Sequence, residues 1–132
     1  MRLFTYGTLM FPEVWQRISI GEFPARPATL RGYAIFRVKN AVYPGIIRAE
    51  EDLVVNGLLY DDLDDDTLFE LDTYESSFYK RIPVVAITAD GAEQECHAYV
   101  VPDNRRDLLT DESWDAVQFR KSELEKYLHG QH

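Results

Sequence analysis

The chain has 132 residues, of which 45% are hydrophobic and 13% aromatic, a composition typical of one globular domain rather than of a disordered segment. Its 23 acidic and 14 basic residues give a formal charge of −9, which repels nucleic-acid phosphates and anionic membrane surfaces. We therefore expect a single domain over residues 1–132 that binds neither nucleic acid nor membrane.

The single cysteine, Cys96, cannot form an internal disulfide, and residues 1–10 do not have the apolar core of a secretion signal. No apolar run approaches the about 18 residues that a membrane-spanning helix needs. These features predict a soluble protein of the reducing cytoplasm.

Residues 2–10 open the chain with a predicted strand that ends in the turn Tyr6-Gly7-Thr8. Backbone N–H groups that are left unpaired where a strand stops can bind an anion or a developing oxyanion. Pro12 then suits the first turn of a short helix with apolar residues at helical spacing. Because most strand-ending glycines only supply a turn, this segment needs a partner elsewhere in the chain to indicate a site.

Residues 28–38 predict one long strand that is bent by a bulge at Gly32. Tyr43-Pro44-Gly45 favours a turn or an edge segment, because proline cannot donate a backbone hydrogen bond within a central strand. Residues 53–60 predict a further strand with Gly57 near its middle. The repeated glycines indicate a closed or strongly curved sheet.

Residues 61–66 are rich in aspartate and precede a predicted helix that ends near Glu75. They lack the glycine and the ligand spacing of a calcium loop, so we interpret them as acids at the positive end of the helix dipole. Thr67 and Glu70 match a capping box. The predicted apolar face of this helix consists of Leu68, Phe69, Leu71 and Tyr74.

Residues 79–101 predict a hairpin around the preferred two-residue turn Asp90-Gly91. Asp111 or Ser113 is then expected to cap a C-terminal helix that continues through Leu128. Because strands outnumber helices and connect through short turns, the sequence predicts an α+β fold with a mostly antiparallel sheet.

Cysteine and histidine do not form a recognisable catalytic or metal-binding group. Cys96 and His97 are neighbours in a predicted strand, so their side chains point to opposite faces and cannot pair as nucleophile and base. His129 and His132 lie near the end of the chain, and histidines so dispersed do not indicate a metal site. Phosphate-binding, dinucleotide-binding and serine-elbow motifs are absent.

Glu75 is the carboxylate with the most distinctive neighbours, because it lies at a helix–strand junction within the aromatic segment 74–79. Apolar surroundings disfavour the anion and make a carboxyl group suitable for proton transfer near neutral pH. The alternative is a surface ion pair of Glu75 with Lys80 or Arg81, and residue composition alone favours this alternative.

A series of motifs extends over roughly residues 2–101. The motifs are Leu3-Phe4-Thr5-Tyr6-Gly7-Thr8-Leu9-Met10, Tyr43-Pro44-Gly45-Ile46, Val55-Asn56-Gly57-Leu58-Leu59-Tyr60, and Leu71-Asp72-Thr73-Tyr74-Glu75 with Tyr79-Lys80-Arg81. In order and spacing they resemble the γ-glutamylcyclotransferase-like superfamily, in particular its branch of γ-glutamylamine cyclotransferases and plant avirulence-induced-gene-type proteins.

The resemblance implies a small mixed β-barrel with peripheral short helices and a C-terminal helix, whose cavity holds the γ-glutamyl group of a small molecule. It implies that Glu75 is the general acid/base and that the loop formed by Tyr6, Gly7, Thr8, Leu9, Met10 and Phe11 binds substrate. The implied reaction needs no metal and no cofactor. Glu75 takes a proton from the α-ammonium of the substrate, the amine attacks its own γ-carbonyl, and 5-oxoproline forms as the leaving amine departs.

One position departs from the family pattern, since Ser76 stands where a glycine often follows the catalytic glutamate. This change affects the local turn and therefore the direction of Glu75. Because fold alone does not determine activity, a non-catalytic module that binds a small ligand in the same cavity is the alternative function. The observation that bears most on the choice is whether Glu75 faces the same cavity as the amides of residues 7–10.

Overall fold

A closed five-stranded barrel and a three-stranded sheet form the β-structure of the described residues. The structure is a computed structural model that describes residues 1–18, 23–75 and 79–128. The predictions that concern Ser76, His129 and His132 lie outside the described residues.

The strands pair in an order that closes the barrel through one parallel contact. They are β1 (Leu3–Thr5), β2 (Ala25–Arg31), β3 (Tyr33–Val38), β4 (Pro44–Arg48), β5 (Val54–Tyr60), β6 (Lys80–Thr88), β7 (Glu93–Val100) and β8 (Leu109–Ser113). The barrel order is β1-β5-β2-β6-β7, in which β1 pairs with β7 in parallel and the other neighbours pair antiparallel. The predicted α+β fold with a mostly antiparallel barrel is confirmed.

Four short helices accompany the strands in the described parts of the chain. They are α1 (Pro12–Ile18), α2 (Asp65–Glu75), α3 (Ala116–Ser122) and α4 (Leu124–Leu128), with 3-10 turns at Thr8–Met10 and Asp103–Leu108. None of the helices within the described ranges is long and apolar enough to span a bilayer.

Strand β1 is buried on both faces. The side chain of Leu3 packs in a core cluster that includes buried residues from each of the four helices. The side chain of Phe4 packs in a second cluster, with Leu59 of β5 and Ala98 of β7. This alternation follows from the two-residue period of a strand. The chain that leaves β1 therefore begins from a rigid, fully enclosed position.

Residues 28–38 do not form one bent strand, so that prediction is wrong. Gly32 has a φ of +86° and separates β2, which belongs to the barrel, from β3, which lies in the middle of the three-stranded sheet. Side chains other than glycine disfavour this left-handed conformation, and the chain changes sheets where glycine permits it. The edge position predicted around Pro44 is confirmed, since β4 is an edge strand of the order β4-β3-β8.

The start of α2 differs from the predicted capping box. The carboxylate of Asp64 accepts a hydrogen bond from the Thr67 N–H at 2.8 Å, so Asp64 is the capping residue. Thr67 lies inside the helix and is fully buried, a position from which a side chain cannot cap the first amides. Leu68 and Leu71 are buried as predicted, but Phe69 is 69% exposed.

The C-terminal helix also begins later than predicted. Asp111 and Ser113 lie in β8, and Asp115 caps α3 by accepting from the Val117 N–H at 2.8 Å. The helix is interrupted at Glu123, which separates α3 from α4. The later start follows from the pairing of β8 with β3, because this pairing places Asp111 and Ser113, the two predicted capping residues, in a strand.

The hairpin predicted around Asp90-Gly91 is confirmed. Strands β6 and β7 pair antiparallel, and Gly91 adopts a φ of +86° that suits a tight turn. The register places Arg81 directly opposite Tyr99, and both residues contribute to the surroundings of the cavity described next.

Candidate functional site

A cavity of about 390 Å³ lies where the turn after β1 meets the last turn of α2. Six of its wall residues are tyrosines, drawn from segments that are distant in the sequence. The wall is formed by Phe4, Thr5, Tyr6, Gly7, Thr8, Leu9, Tyr43, Pro44, Tyr74, Glu75, Tyr79, Tyr99 and Tyr127. Glu75 is the one ionisable carboxylate among these described wall residues, and no lysine, arginine or histidine is among them.

The structure brings most of the expected site residues together. Glu75 lines the same cavity as the loop residues Tyr6, Gly7, Thr8 and Leu9. Two residues of the expected loop, Met10 and Phe11, are not among the wall residues. They lie outside because the 3-10 turn redirects the chain, and the ring of Phe11 packs on Phe119 of α3 with centroids 5.3 Å apart.

In the turn after β1, hydrogen bonds within the turn begin only at the amide of Met10. Met10 N–H donates to the Gly7 carbonyl at 3.0 Å, and Phe11 N–H donates to the Thr8 carbonyl at 3.1 Å. The earlier amides, those of residues 7–9, have no preceding carbonyl within the turn, as at the start of any helix. They belong to residues that line the cavity, which makes this turn suitable for holding negative charge.

Gly7 is required by a close contact. A Cβ at this position would lie 2.7 Å from the Cγ of Pro44. The turn after β1 therefore approaches the start of β4 more closely than any side chain at position 7 allows. The sequence indicated a conformational role for Gly7, and the structure adds a steric one.

Glu75 is the last residue of α2, and its carboxyl group is enclosed although the residue as a whole keeps partial exposure. Burial raises the pKa of Glu75 from its ordinary value of 4.5 to about 8. The pKa of the Tyr6 hydroxyl is raised by burial first and by the charge of Glu75 second. The Glu75 carboxyl group thus lies close enough to the turn after β1 to raise the pKa of the Tyr6 hydroxyl.

The alternative ion pairs of Glu75 are not formed in the described part of the chain. Arg81 pairs instead with Asp72, with Nε 2.9 Å from Oδ1. Lys80 is exposed and its ammonium has no ion pair with Glu75. Glu75 therefore contributes to the cavity as a desolvated acid rather than as a neutralised surface charge.

Comparisons with known proteins identify the family. A family model described as gamma-glutamyl cyclotransferase, AIG2-like, matches residues 3–116. The chain belongs to this family. AIG2-like protein C of Arabidopsis thaliana is 32% identical over 127 residues, which cover 96% of this chain and 73% of that protein.

Solved structures of this family's fold agree with that assignment. A solution structure of an Arabidopsis thaliana protein matches with a TM-score of 0.75 and 26% identity, over 98% of this chain and 78% of that one. A structure described as gamma-glutamyl cyclotransferase matches with a TM-score of 0.64 over 98% of this chain and 85% of that one. At 16% identity this second match shows the shared fold alone. The family model over residues 3–116 confirms the superfamily that the motifs indicated.

Two of the cavity's tyrosine hydroxyls, those of Tyr6 and Tyr79, are engaged in hydrogen bonds with backbone carbonyls of the protein. Tyr6 donates to the Tyr99 carbonyl at 2.6 Å, and Tyr79 donates to the Pro44 carbonyl at 2.5 Å. The Tyr74 hydroxyl is buried and has no hydrogen-bond partner among the described residues. Tyr74 is thus a candidate substrate contact that sequence reasoning did not single out.

Four further tyrosines of the wall were also absent from the expected site residues: Tyr43, Tyr79, Tyr99 and Tyr127. They come from the segments before β4 and β6, from β7 and from α4, and Tyr127 lies beyond the span that the family model matches. The sequence offered one signal, a content of eight tyrosines, which does not specify which of them face a common space. Their convergence is a property of the folded chain.

Cys96 and His97 lie away from this cavity. Cys96 is buried in the barrel core, and burial raises the pKa of its thiol. His97 is partly buried and lies beside the charged groups of Arg81 and Asp72. The described residues contain no group of three or more His, Cys, Asp or Glu side chains arranged to hold a metal ion.

Proposed function

We propose that the chain is a γ-glutamyl cyclotransferase that converts the γ-glutamyl conjugate of a small amine or peptide to 5-oxoproline and releases the amine. The observation that carries this proposal is that Glu75 and the turn of residues 7–9 line one cavity. Family membership supports the same reaction class. We place the reaction in the cytoplasm, which the free, buried Cys96 supports.

The cyclisation requires one proton acceptor and later one proton donor, and Glu75 performs both roles. Its carboxylate takes a proton from the α-ammonium of the substrate, and the free amine attacks the γ-carbonyl carbon of the same molecule. Protonated Glu75 then gives its proton to the leaving nitrogen as the C–N bond to that amine breaks. The ring nitrogen loses its second proton to the Glu75 carboxylate, which passes it to the released amine, so that the products are the neutral lactam, an ammonium ion and ionised Glu75. Because the nucleophile belongs to the substrate, holding it in a cyclic conformation supplies much of the rate enhancement.

The pKa of Glu75 suits this exchange. An α-amino group has an ordinary pKa of about 7.7–8.0, and that of Glu75 is about 8. Proton transfer between groups of matched pKa has almost no free-energy cost, so both directions of the transfer are accessible. An unperturbed carboxylate would be too weak a base to take the proton and too strong an acid to keep it.

The turn after β1 supplies the electrostatic partner for this reaction. Its first amides hold either the α-carboxylate of the substrate or the oxyanion that develops on the γ-carbonyl oxygen. The tyrosine walls exclude water from the reacting groups, which strengthens these hydrogen bonds.

The direct test is to incubate the purified chain with a panel of γ-glutamyl amines and γ-glutamyl peptides and to measure 5-oxoproline. Release of 5-oxoproline together with one equivalent of the amine supports the proposal. A compound that raises the melting temperature but is recovered unchanged, with no product from the whole panel, supports the non-catalytic binding module instead.

The pH dependence of kcat/KM is expected to be bell-shaped with its maximum near pH 8. Below that value kcat/KM should fall about tenfold per pH unit, because Glu75 must be ionised to accept the proton and its pKa is about 8. Above it, the rate falls as free substrate loses its ammonium proton. Initial rates of 5-oxoproline formation between about pH 6 and 10 check this profile. A rate that is constant from about pH 5 to 8 contradicts the assignment of Glu75 as the base.

Substrates whose leaving group carries a carboxylate should react more slowly than matched substrates without one. The described wall residues include no cation, so a second carboxylate in the cavity loses its hydration without gaining a partner. We expect γ-glutamyl-phenethylamine to exceed γ-glutamyl-phenylalanine in kcat/KM by about tenfold. These two substrates share the aromatic ring, so equal values or the reverse order would contradict an uncharged subsite.

A further inference from the structure

Asp72 links three elements around the proposed acid. It lies in α2 one turn before Glu75, and its Oδ1 and Oδ2 accept hydrogen bonds from Arg81 Nε and Nη2 at 2.9 and 3.2 Å. The hydroxyl of Tyr99 donates to the same carboxylate at 2.6 Å. One side chain of α2 is thus bound to both β6 and β7.

A second hydrogen bond extends this linkage to the opposite wall of the cavity. The carbonyl oxygen of Tyr99 accepts from the Tyr6 hydroxyl at 2.6 Å, and Tyr6 begins the turn that follows β1. The path from Asp72 through Tyr99 to Tyr6 therefore connects the helix that ends in Glu75 with the turn that carries the amides. Both tyrosine rings also line the cavity.

The position of Asp72 is unfavourable for the helix itself. The helix dipole disfavours negative charge near a C-terminus, and the last turn of α2 contains no basic residue to offset it. The cation comes instead from Arg81, which lies opposite Tyr99 in the β6–β7 pair and therefore on the same face of the hairpin. Asp72 gains its stabilisation from contacts with the hairpin, not from the helix.

The two carboxyl groups at this end of α2 have opposite environments. Burial alone would raise the pKa of Asp72, but hydrogen bonds from Arg81 and Tyr99 outweigh it and lower the pKa. Burial raises that of Glu75, whose charged or ionisable neighbours are Tyr6, Tyr79 and Tyr99. Asp72 therefore remains an anion over the range in which Glu75 exchanges its proton.

We propose that Asp72 is a positioning residue that holds the last turn of α2, and with it Glu75, at a fixed separation from the turn after β1. Its effect on catalysis rests on the proposed cyclotransferase function. Its effect on Glu75 does not, because a displaced helix end would admit water to the Glu75 carboxyl group whether or not the chain is an enzyme.

Asp72→Asn tests this role while nearly preserving side-chain shape, since the amide replaces one of the two oxygens that Arg81 engages. Its readout is the titration of the Glu75 carboxyl carbon by ¹³C NMR, identified as the resonance that Glu75→Gln removes. We expect the pKa of Glu75 to fall by about one unit or more from its wild-type value. With a γ-glutamyl substrate, kcat should fall about tenfold while KM changes less than about threefold.

Tyr99→Phe distinguishes the positioning effect of Asp72 from the effect of its negative charge on Glu75. It removes only the hydroxyl that binds Asp72 and leaves Asp72 ionised. It is expected to lower the pKa of Glu75 in the same direction. This second variant also provides the measurement if Asp72→Asn does not fold.

Glu13→Gln is the matched control. Glu13 and Arg120 form an equivalent two-point pair, at 2.9 and 3.2 Å, between α1 and α3, and neither residue lines the cavity. This variant should leave the pKa of Glu75 and kcat unchanged. If Asp72→Asn and Tyr99→Phe alter thermal stability as the control does but shift neither quantity, Asp72 is a structural ion pair and the proposal is overturned. If the wild type forms no 5-oxoproline, the cyclotransferase function fails while the NMR titration still decides the positioning role.

Discussion

Glu75→Gln should reduce the rate of 5-oxoproline formation by about 10²–10⁴-fold, the usual contribution of a general acid–base residue. Glutamine has almost the same shape as glutamate, so the cavity and its amides remain available to bind substrate. The loss should therefore appear mainly in kcat. Initial-rate measurements with the best substrate of the panel check this result.

The same substitution should stabilise the protein near neutral pH. The folded pKa of Glu75 is about 8 against an ordinary value of 4.5, so between these pH values the unfolded chain loses a proton that the folded chain keeps. Stability of the wild type thus falls as pH rises from 4.5 to about 8. Because Glu75 keeps partial contact with solvent, we expect the variant to gain about 1–3 kcal/mol at pH 8 and almost nothing near pH 4.5.

Glu70→Gln is the appropriate control, because Glu70 lies on the same helix and is exposed. It should change neither the rate nor the pH dependence of unfolding. Full activity in Glu75→Gln would remove Glu75 from the mechanism. Lower stability of that variant at pH 8 would show that the carboxyl group is not buried as an acid.

Gly57→Ala is expected to destabilise the chain by about 3 kcal/mol or more. A Cβ at position 57 would lie 2.0 Å from the carbonyl oxygen of Thr5 and 2.7 Å from the ring of Phe4. The first of these atoms is backbone, so the contact can be relieved only by moving β1 away from β5. Denaturant unfolding followed by far-UV circular dichroism measures the loss.

The consequence extends to the site, because Thr5 directly precedes the turn that carries the amides. Any folded fraction of Gly57→Ala should have reduced activity as well as reduced stability. Val54→Ala on the same strand is the control, since Val54 is 51% exposed and its truncation should cost no more than about 0.5 kcal/mol. A variant Gly57→Ala that is as stable as this control would contradict the close packing of β1 on β5.

Local patterns predicted the elements whose formation depends on neighbouring residues. The Asp90-Gly91 hairpin, the helix that begins at Pro12 and the edge strand at Pro44 follow from turn geometry and from the missing N–H of proline. The prediction was wrong at Gly32 and at the start of α3. In both places a strand pairs with a distant partner, and local spacing cannot reveal that partner.

The sequence by itself determined which residues were candidates: a turn with free amides at Gly7, an acid at Glu75, and a motif order that indicated the family. It did not determine the state of that acid, since Arg81 stood close enough in the chain to neutralise it. The tertiary structure decided this point, because Arg81 forms its ion pair with Asp72 and tyrosine side chains line the cavity around Glu75. The physical reason is that the pKa of a carboxyl group depends on its desolvation. The residues that exclude water from Glu75 are distant in the sequence, as the hydrogen bond between Tyr6 and Tyr99, 93 positions apart, illustrates.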